Sequence, residues 1–400
     1  MKLLSNTLVI TKAEEYNNAV ISLLFNDKRA IEINCSSVED NSILNNIYVG
    51  KVKNIVKNIG AAFIEIADNI ICYYKIDENP NPIYTKRQSE NRLCIGDEIL
   101  VQVIKEPQKT KQHVVSSNLS FITKNLILTS GNKRIGISNK LDIDTRNRLK
   151  DIGSKMDNSE FGIIFRTNAK NIDDEELIKQ INSLTEEFQE IIRLAKYRTC
   201  FSLCYKGQEG YISKICGMYD GVLDKIITDD KEIYDNIIEY VKSDRPEYLD
   251  IVEFYDDNMI SLEKLYGVKS EITSALSQRV WLKSGAYLVI QPTEALTVID
   301  VNTGKFVGNK KQQETFLKIN LEAAKEIAIQ LRLRNISGIC IVDFIDMELE
   351  ESKIILLNEF KKYLSEDPVN TTLVDMTKLN LVEITRKRIK KPLYEQINQI

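Results

Sequence analysis

Two aspartates at the ends of apolar segments are the residues of this 400-residue chain with the clearest potential for chemistry. Asp300 closes the segment LTVID, Asp343 closes CIVD, and Asn302 stands two positions beyond Asp300. Two carboxylates in an apolar setting repel one another and lose hydration unless they share a cation or a proton. A small set of hard oxygen ligands suits Mg²⁺, which keeps several waters and also binds phosphate oxygens. These residues therefore indicate a candidate Mg²⁺ site, with Asp346 as an outer ligand.

A strand–helix–strand crossover would bring these residues together. Segments 286–304 and 336–347 predict strands, and residues from about 310 to 333 predict a long helix between them. A right-handed crossover lays its two strands parallel and close in one sheet, and near-continuous apolar runs are typical of strands buried on both faces. Ligands of open parallel sheets bind beyond the carboxyl ends of the strands. We therefore expect both carboxylates at one edge, with Asn302 on the same side as Asp300.

An aspartate at a strand end also has a purely structural interpretation. It often caps a helix or closes a turn, so each aspartate alone favours that role. For the two aspartates together, with Asn302 beside Asp300, the residues alone favour the functional and the structural interpretation equally. A nucleotide-binding P-loop in DVNTGKF is excluded, because Ile299 replaces the first glycine of that motif and Phe306 replaces its Ser/Thr.

Composition excludes several other kinds of site. The single histidine, His113, rules out multi-histidine metal sites, and any Ser-His-Asp triad would have to use it. The 54 Lys+Arg against 58 Asp+Glu give a net charge of −4, so any contact with nucleic acid must be local.

Seven scattered cysteines without a CxxC motif predict reduced thiols in a cytoplasmic protein. Cys200, Cys204 and Cys216 could hold a metal but are more simply core residues. No apolar window approaches the ~20 residues of a membrane span.

The strand and helix patterns divide the chain into several domains. Residues 1–37 show three alternating strands that need a partner sheet. From residue 47 to about 119, five short strands with one long loop predict a small antiparallel barrel of the OB type. A helix is expected to begin near Asp173 on an i, i+3, i+4 apolar pattern. Another predicted helix, ITSALSQRVWLKSG, ends at Gly285.

Two groups of residues could contact nucleic acid. The first combines aromatics on the barrel strands with lysines on the strand and loop that follow: Phe63, Tyr73, Tyr74, Lys105, Lys109 and Lys111. Such aromatics stack bases of single strands, unless they fill the barrel core. The second group lies in TRKRIKK: Arg386, Lys387, Arg388, Lys390 and Lys391. It would form either a positive patch beside the carboxylates, suited to a phosphodiester, or an ordinary solvated helix face.

Several long segments carry a resemblance to a known family. Three segments closely resemble the ribonuclease E/G family of bacterial endoribonucleases: LKSGAYLVIQPTEALTVIDVNTGKFVG, INLEAAKEIAIQLRLRNISGICIVDFIDM and LVEITRKR. The length and plain architecture favour the family's ribonuclease G branch. The stretch IYVGKVKNIVKNIGAAFIEI resembles the family's S1-type RNA-binding domain. The resemblance implies a multidomain α+β and α/β fold. Its parts would be an RNase H-like subdomain (1–37 and 216–280), an inserted S1-type OB barrel (38–122), a 5′-sensor subdomain (123–215) and a DNase I-like catalytic subdomain (281–400).

The resemblance also implies a reaction. Members cleave single-stranded RNA with Mg²⁺ and leave a 5′-phosphate and a 3′-hydroxyl; rRNA precursors and mRNA would be the substrates. Asp300 and Asp343, whose 43-residue separation matches the family, would bind the metal, and Asn302 would support them. The metal would polarise the scissile phosphate and lower the pKa of an attacking water.

Further family positions concern RNA binding. Arg166 and Thr167 in GIIFRTNAK match the pocket for a 5′-monophosphate, which the arginine would hold with a bidentate fork. Phe63, Tyr73 and Lys111 match RNA-contacting positions of the S1-type domain, with a tyrosine at Tyr73 where the family has phenylalanine. From the residues alone, an arginine after a strand is usually an ordinary surface residue.

Two departures from the family pattern matter. Asn370 is neutral where some members have a basic residue in the phosphate pocket, which leaves the strength of 5′-end sensing open. The family's CPxC-type pair, through which two chains share Zn²⁺, would begin at about Ile400, where the sequence ends. Either the sequence is truncated or its branch dimerises without zinc. Zn²⁺ is therefore not expected, and the sequence contains no metal ligands that would support a homodimer.

Two functions of other classes compete with the nuclease. A non-catalytic protein that binds single-stranded RNA would use the barrel, and its carboxylates would only cap turns. A Mg²⁺-dependent phosphatase for small molecules would use the carboxylates and have no use for the barrel.

Overall fold

The computed structural model describes residues 5–36, 43–88, 92–107, 112–131, 133–156, 161–304 and 312–398. The chain divides into two compact units, each built from separate segments. Residues 1–40, 224–234 and 253–400 form the first unit, and residues 41–223 and 235–252 form the second. Among the helices within those ranges, none is long and apolar enough to cross a membrane.

The strands, in chain order, are β1 (Asn6–Ala13), β2 (Ala19–Asn26), β3 (Arg29–Ser36), β4 (Ile47–Val56), β5 (Ala61–Ala67), β6 (Ile70–Lys75), β7 (Ile83–Lys86), β8 (Glu98–Lys105), β9 (Val114–Ser116), β10 (Ser120–Ile122), β11 (Leu126–Thr129), β12 (Ile135–Ile137), β13 (Gly162–Phe165), β14 (Leu203–Tyr205), β15 (Lys225–Thr228), β16 (Val252–Phe254), β17 (Arg279–Trp281), β18 (Tyr287–Pro292), β19 (Leu296–Asn302), β20 (Gly338–Asp343), β21 (Thr371–Met376) and β22 (Leu381–Arg386). The α-helices are α1 (Ile143–Ser154), α2 (Asp174–Ala195), α3 (Gly210–Gly217), α4 (Lys231–Asp244), α5 (Leu262–Leu265), α6 (Val268–Leu276), α7 (Gln312–Leu333), α8 (Glu350–Ser365) and α9 (Leu393–Ile397).

The first sheet of the first unit has the order β16-β15-β1-β2-β3. β1, β2 and β3 form the predicted antiparallel meander, and β15 adds to it in parallel beside β1. Within the described residues, helices rather than a second sheet pack on this meander. Ile21 and Leu23 share a core with Leu262, Val268 and Ile272 of α5 and α6. Short helices therefore cover the apolar face that the sequence analysis assigned to a second sheet.

The second sheet of this unit contains the predicted crossover. Its order is β17-β18-β19-β20-β22-β21, in which β19 and β20 are adjacent and parallel and the other neighbours are antiparallel. α7 joins the two parallel strands, and α7 and α8 pack on one face of the sheet through residues such as Ala324 and Phe360. The parallel pair and its connecting helix are confirmed.

The expectation that both parallel strands are buried on both faces is wrong. Burial alternates along β19, so that Ile299 and Val301 are buried while Asp300 and Asn302 are only partly covered. On β20, Ile339 is 49% exposed although it belongs to a nearly continuous apolar run. Within the described residues, α7 and α8 cover one face of the sheet, and the other face, here called the open face, is accessible.

The helix predicted to run to Gly285 is also wrong in its second half. α6 ends at Leu276, because Ser277 has extended backbone with φ −65° and ψ 135°. Residues Arg279–Trp281 then form β17, which pairs antiparallel with β18. Valine and tryptophan pack well on a pleated surface and favour a strand there.

The second unit contains a closed five-stranded barrel. β4, β5, β6, β9 and β8 pair in succession, and β8 also pairs with β4, which closes the ring. This confirms a barrel of OB-like form. β7, which the sequence analysis missed, pairs with β8, and β14 pairs with β4.

The rest of the second unit centres on the sheet β10-β11-β13-β12. Its core includes Leu177, Ile181 and Phe188 of α2, and α2 begins at Asp174, as its apolar pattern predicts. The division into two units is coarser than the predicted domains, so the boundaries at 37/38, 122/123, 215/216 and 280/281 stay predictions. The RNase H-like and DNase I-like subdomains stay predictions as well.

Candidate active site

Asp300 and Asp343 lie side by side on the open face. They are register partners on β19 and β20, so their Cα atoms are about 5 Å apart and their side chains project from the same face. The alternating residues Ile299 and Val342 point into the core below. The crossover therefore brings the two predicted carboxylates together, and their role as metal ligands stays a prediction.

Asn302 shares the open face and holds Asp300 directly. Its Nδ2 donates a 2.6 Å hydrogen bond to Oδ2 of Asp300. The bond fixes the orientation of that carboxylate and satisfies one of its oxygens, which leaves the other oxygen available to a ligand. The predicted placement of Asn302 beside Asp300 is thus confirmed.

The electrostatics of the pair favour a bound cation. Burial raises the pKa of Asp343, and the negative charges of Asp300 and Asp346 raise it further. Within the described ranges, no lysine or arginine forms an ion pair with Asp300 or Asp343. Asp346 lies close enough to act on Asp343, and its Oδ1 accepts a 3.2 Å hydrogen bond from Asn380 Nδ2. A divalent cation would relieve the repulsion that the fold builds into this site.

The donor set fits Mg²⁺ better than a metal enclosed by protein ligands. The part of the chain that the structure describes has no group of three or more His, Cys, Asp and Glu residues arranged to hold a metal. Two carboxylates with room for water and phosphate oxygens match the usual Mg²⁺ arrangement. The same finding corrects the suggestion of a three-thiolate site at Cys200, Cys204 and Cys216.

A buried asparagine on α7, which the sequence analysis missed, fixes the loop after β20. Asn320 Nδ2 donates to the carbonyl of Ile345 at 2.8 Å, and the amide of Ile345 donates back to Asn320 Oδ1 at 3.1 Å. Asn320 has no exposed surface. These two bonds set the path of the chain between Asp343 and Asp346. The sequence signal that could have identified Asn320 is its position as a polar residue on the apolar side of α7.

Arg386 is part of the scaffold, which corrects its prediction as an RNA contact. Its Nε donates to Asp367 Oδ2 at 2.7 Å, and both side chains are only 4% exposed. Nη1 donates to Asn335 Oδ1 at 2.8 Å and to the carbonyl of Ile336 at 3.2 Å. The donors of Arg386 are thus engaged inside the protein, and RNA cannot reach them.

The TRKRIKK segment does not lie beside the carboxylates. Arg386 pairs in register with Gly338, at the opposite end of β20 from Asp343. These ends are five residues apart, or about 16 Å. Arg388 is exposed and its guanidinium packs against Gly338. The predicted positive patch next to the active site is therefore wrong, while contact of Arg388 with RNA elsewhere stays a prediction.

Phe63 and Tyr73 form a pair on the barrel. They are register partners on β5 and β6, both half-buried, with ring centroids 6.2 Å apart and planes at 79°. Tyr74 instead fills the barrel core and donates to Ser117 Oγ at 3.2 Å, which corrects its assignment as a contact. Of the predicted lysines, Lys105 ends β8, and Lys109 and Lys111 lie outside the described residues.

Arg166 and Thr167 follow β13 in the second unit. Nη1 of Arg166 donates to the carbonyls of Thr123 at 2.6 Å and Cys216 at 3.1 Å, and Nη2 makes a long 3.4 Å contact with the carbonyl of Gly217. Thr167 Oγ1 lies 3.0 Å from Ser138 Oγ. The guanidinium is thus held by backbone oxygens and is only partly covered, and its role in phosphate sensing stays a prediction. Asn370 is exposed just before β21 in the first unit.

Comparisons with known proteins identify the family. The sequence model described as Ribonuclease E/G family matches residues 120–389, a range that includes Asp300, Asn302 and Asp343. Ribonuclease G of Haemophilus influenzae is 32% identical over 375 residues, which are 90% of this chain and 76% of that protein. Ribonuclease G of Escherichia coli (strain K12) is 30% identical over 375 residues, with the same 90% and 76% coverage. The Ribonuclease E/G-like protein of Pyropia yezoensis is 32% identical over 395 residues, 96% of this chain and 77% of that protein. The motifs, the extent of the family match and these identities together show that the chain belongs to the ribonuclease E/G family.

Proposed function

We propose that this chain cleaves single-stranded RNA with the help of Mg²⁺ and leaves 5′-phosphate and 3′-hydroxyl ends. As a member of its family the chain is an endoribonuclease; the metal and the chemistry of the ends are the proposal. The observation that supports it most is the pair Asp300 and Asp343, adjacent on an open sheet face without a cationic partner in the described ranges.

The residues of the site divide the work between them. Asp300 and Asp343 would hold the metal, and Asn302 keeps Asp300 in one orientation through its 2.6 Å hydrogen bond. When bound, Mg²⁺ supplies positive charge that polarises the scissile phosphate and lowers the pKa of a coordinated water. The open face gives the RNA backbone access to both carboxylates. No histidine base is required, which agrees with the single His113 in the chain.

RNA binding outside the carboxylate face is assigned to the second unit. Phe63 and Tyr73 offer a stacking surface of the kind that OB-type barrels use for single strands. Arg166 and Thr167 would bind a 5′-monophosphate, because a guanidinium anchored on backbone carbonyls is already oriented for a phosphate. Single-stranded regions of rRNA precursors and mRNA are the proposed substrates. A homodimer is part of the same proposal.

A cleavage assay with end-group analysis tests the metal and the reaction together. Wild-type protein is incubated with a single-stranded oligoribonucleotide in Mg²⁺, in EDTA, and in EDTA followed by excess Mg²⁺. We expect products only when Mg²⁺ is free, with downstream fragments that accept a 5′ label only after phosphatase treatment and upstream fragments that are extended at a free 3′-hydroxyl. Cleavage in EDTA, or upstream fragments with cyclic phosphate ends, would contradict the proposal.

The same assay separates the competing functions. A non-catalytic RNA-binding protein would bind the oligoribonucleotide and give no products that depend on Mg²⁺. A small-molecule phosphatase would hydrolyse a phosphomonoester and show no affinity for RNA.

A further inference from the structure

The open face carries an aromatic cluster next to the carboxylates that the proposed mechanism does not use. Trp281 is the only tryptophan of the chain and is 63% exposed. Its ring centroid lies 5.1 Å from that of Tyr287, and the two planes are inclined by 57°. The guanidinium carbon of Arg279 lies 4.5 Å from the Tyr287 centroid and 5.7 Å from the Trp281 centroid. We call Arg279, Trp281 and Tyr287 the platform.

The register of the sheet places the platform beside the active site. Tyr287 is the register partner of Asn302, and Trp281 is the partner of Tyr287 one strand further out. With strands about 4.8 Å apart, the Cα atoms of Tyr287 and Trp281 lie about 5 and 10 Å from that of Asn302. A base on the platform would belong to a nucleotide next to the one whose phosphate meets the carboxylates.

The hairpin that carries the platform is fixed to the strand of the active site. The amide of Leu282 donates to the carbonyl of Ala286 at 2.8 Å, and the amide of Lys283 donates to Glu322 Oε1 on α7 at 2.7 Å. Gly304, just past β19, has φ +66°, and a Cβ there would overlap the carbonyl oxygen of Gly285. The end of β19 therefore packs tightly against the hairpin turn, and the platform is held in place before any ligand binds.

Charge on the open face favours RNA on the platform side. Arg279 has no carboxylate partner among the described residues, and its cation can meet a backbone phosphate. On the other flank of the aspartate pair, Glu383 on β22 and Asp375 on β21 are register partners and repel a polyanion. A single strand that crosses the carboxylates is thus attracted toward β17 and β18 rather than toward β21.

We propose that the platform stacks a base of single-stranded RNA adjacent to the scissile phosphate, while Arg279 contacts the neighbouring backbone phosphate. Stacking on aromatic faces accepts any base, so the platform sets which bond reaches the carboxylates without reading the identity of the base. The inference rests on the proposed cleavage of RNA at Asp300 and Asp343. The proposal gives the platform a positioning role in that cleavage.

Fluorescence of the single tryptophan tests the platform without relying on cleavage. The full-length double variant Asp300→Asn/Asp343→Asn is titrated with a single-stranded A/U-rich oligoribonucleotide that carries a 3′ fluorophore. Anisotropy of the fluorophore reports binding, and emission of Trp281 reports stacking. We expect quenched emission and at least twofold protection of Trp281 from acrylamide at saturation. Full binding by anisotropy with unchanged emission and unchanged acrylamide access would overturn the platform, whatever the cleavage assay has shown.

Kinetics with abasic substrates test the consequence for cleavage. In the wild type, moving one abasic nucleotide along the RNA should reveal a position next to the cut where its loss raises KM about 5- to 150-fold, as expected for ~1–3 kcal/mol of stacking. Trp281→Ala should raise KM equally on intact RNA and abolish the abasic effect at that position, while Trp281→Phe should keep it. Tyr197→Ala, which removes an 83% exposed aromatic in the second unit, is the matched control.

Two outcomes of the kinetic test would refute the assignment. The first is an abasic penalty that persists in Trp281→Ala. The second is a change in sedimentation of Trp281→Ala without a change in KM, which would make a second copy of the chain the partner of this surface. The fluorescence result remains readable even if no cleavage is detected, so failure of the platform and failure of the proposed reaction are distinguishable.

Discussion

Two cross-strand aromatic pairs, one in each unit, differ mainly in their surroundings. Phe63 and Tyr73 are register partners on the barrel, and Trp281 and Tyr287 are register partners on the six-stranded sheet. On the sheet, Tyr287 pairs with Asn302, two residues past Asp300. On the barrel, Glu65 lies two residues past Phe63 on β5 and is paired with Lys53. Cross-strand aromatic pairs thus occur in both sheets. The charged residues beside each pair distinguish the two surfaces.

Under the proposed function, the barrel would bind RNA and the open face would carry out the cleavage. On the barrel, the carboxylate of Glu65 is neutralised by a 3.0 Å ion pair with Lys53. On the sheet, Asp300 and Asp343 keep their charge uncompensated within the described ranges. Loss of a carboxylate on the open face should therefore lower kcat, whereas loss of a barrel aromatic should raise KM. The predictions below run from the largest expected effect to the smallest.

Removal of either carboxylate should have the largest effect. Asp300→Asn and Asp343→Asn keep the size of the side chain and lose the charge, so kcat should fall about a thousandfold or more, since a catalytic metal supplies several kcal/mol. Affinity for RNA, measured by anisotropy, should change less than threefold. Glu351→Gln, which neutralises an exposed carboxylate on α8, is the control and should cleave normally. A double variant that still cleaves after careful purification would remove the carboxylates from the mechanism.

Arg386 should matter for stability rather than for RNA. Arg386→Ala leaves Asp367 buried and unpaired, which should lower the free energy of unfolding by about 3–5 kcal/mol. Arg388→Ala, two residues away on the surface, should change it by less than about 0.5 kcal/mol. Urea unfolding followed by the emission of Trp281 reports the unit that contains both arginines. Equal stability of the two variants would contradict the scaffold role of Arg386.

Loss of an aromatic from the barrel should weaken binding and spare the chemical step. Phe63→Ala should raise KM about 5- to 150-fold through loss of ~1–3 kcal/mol of stacking, with kcat within about twofold of wild type. Ile71→Ala, an exposed apolar residue on β6, serves as the control. A fall in kcat with KM unchanged would mean that the barrel pair takes part in the reaction and that the two regions are not distinct in function.

Part of this architecture follows from the sequence by simple rules. The crossover rule places Asp300 beside Asp343, and period-two alternation places Asn302 beside Asp300; both hold in the structure. The barrel follows from five short strands with one long loop. These predictions succeed because each depends on local pattern and on a strong topological rule.

The failures depend on contacts that no local pattern encodes. An apolar strand looks the same whether helices cover one face or two, so the exposure of Ile339 could not be predicted. The residues before Gly285 fit a helical pattern, and only pairing with β18 makes Arg279–Trp281 a strand. Arg386 is buried because it meets Asp367, which lies in the connection between α8 and β21, and a run of basic residues does not reveal that pairing.

The smallest effect is expected at the proposed 5′-phosphate pocket. Nη1 of Arg166 is bound to the carbonyls of Thr123 and Cys216, while Nη2 makes only a 3.4 Å contact and remains available to a phosphate. Arg166→Lys keeps the charge but loses this planar anchoring, so the ratio of kcat/KM for 5′-monophosphorylated over 5′-hydroxyl RNA should shrink several-fold. Thr167→Val, which removes the hydroxyl 3.0 Å from Ser138 and keeps the shape, should reduce the ratio less. Because Arg166 also ties two backbone segments together, a melting curve accompanies each variant. A ratio that stays at the wild-type value in a stably folded Arg166→Lys protein would place 5′-end recognition elsewhere in the molecule.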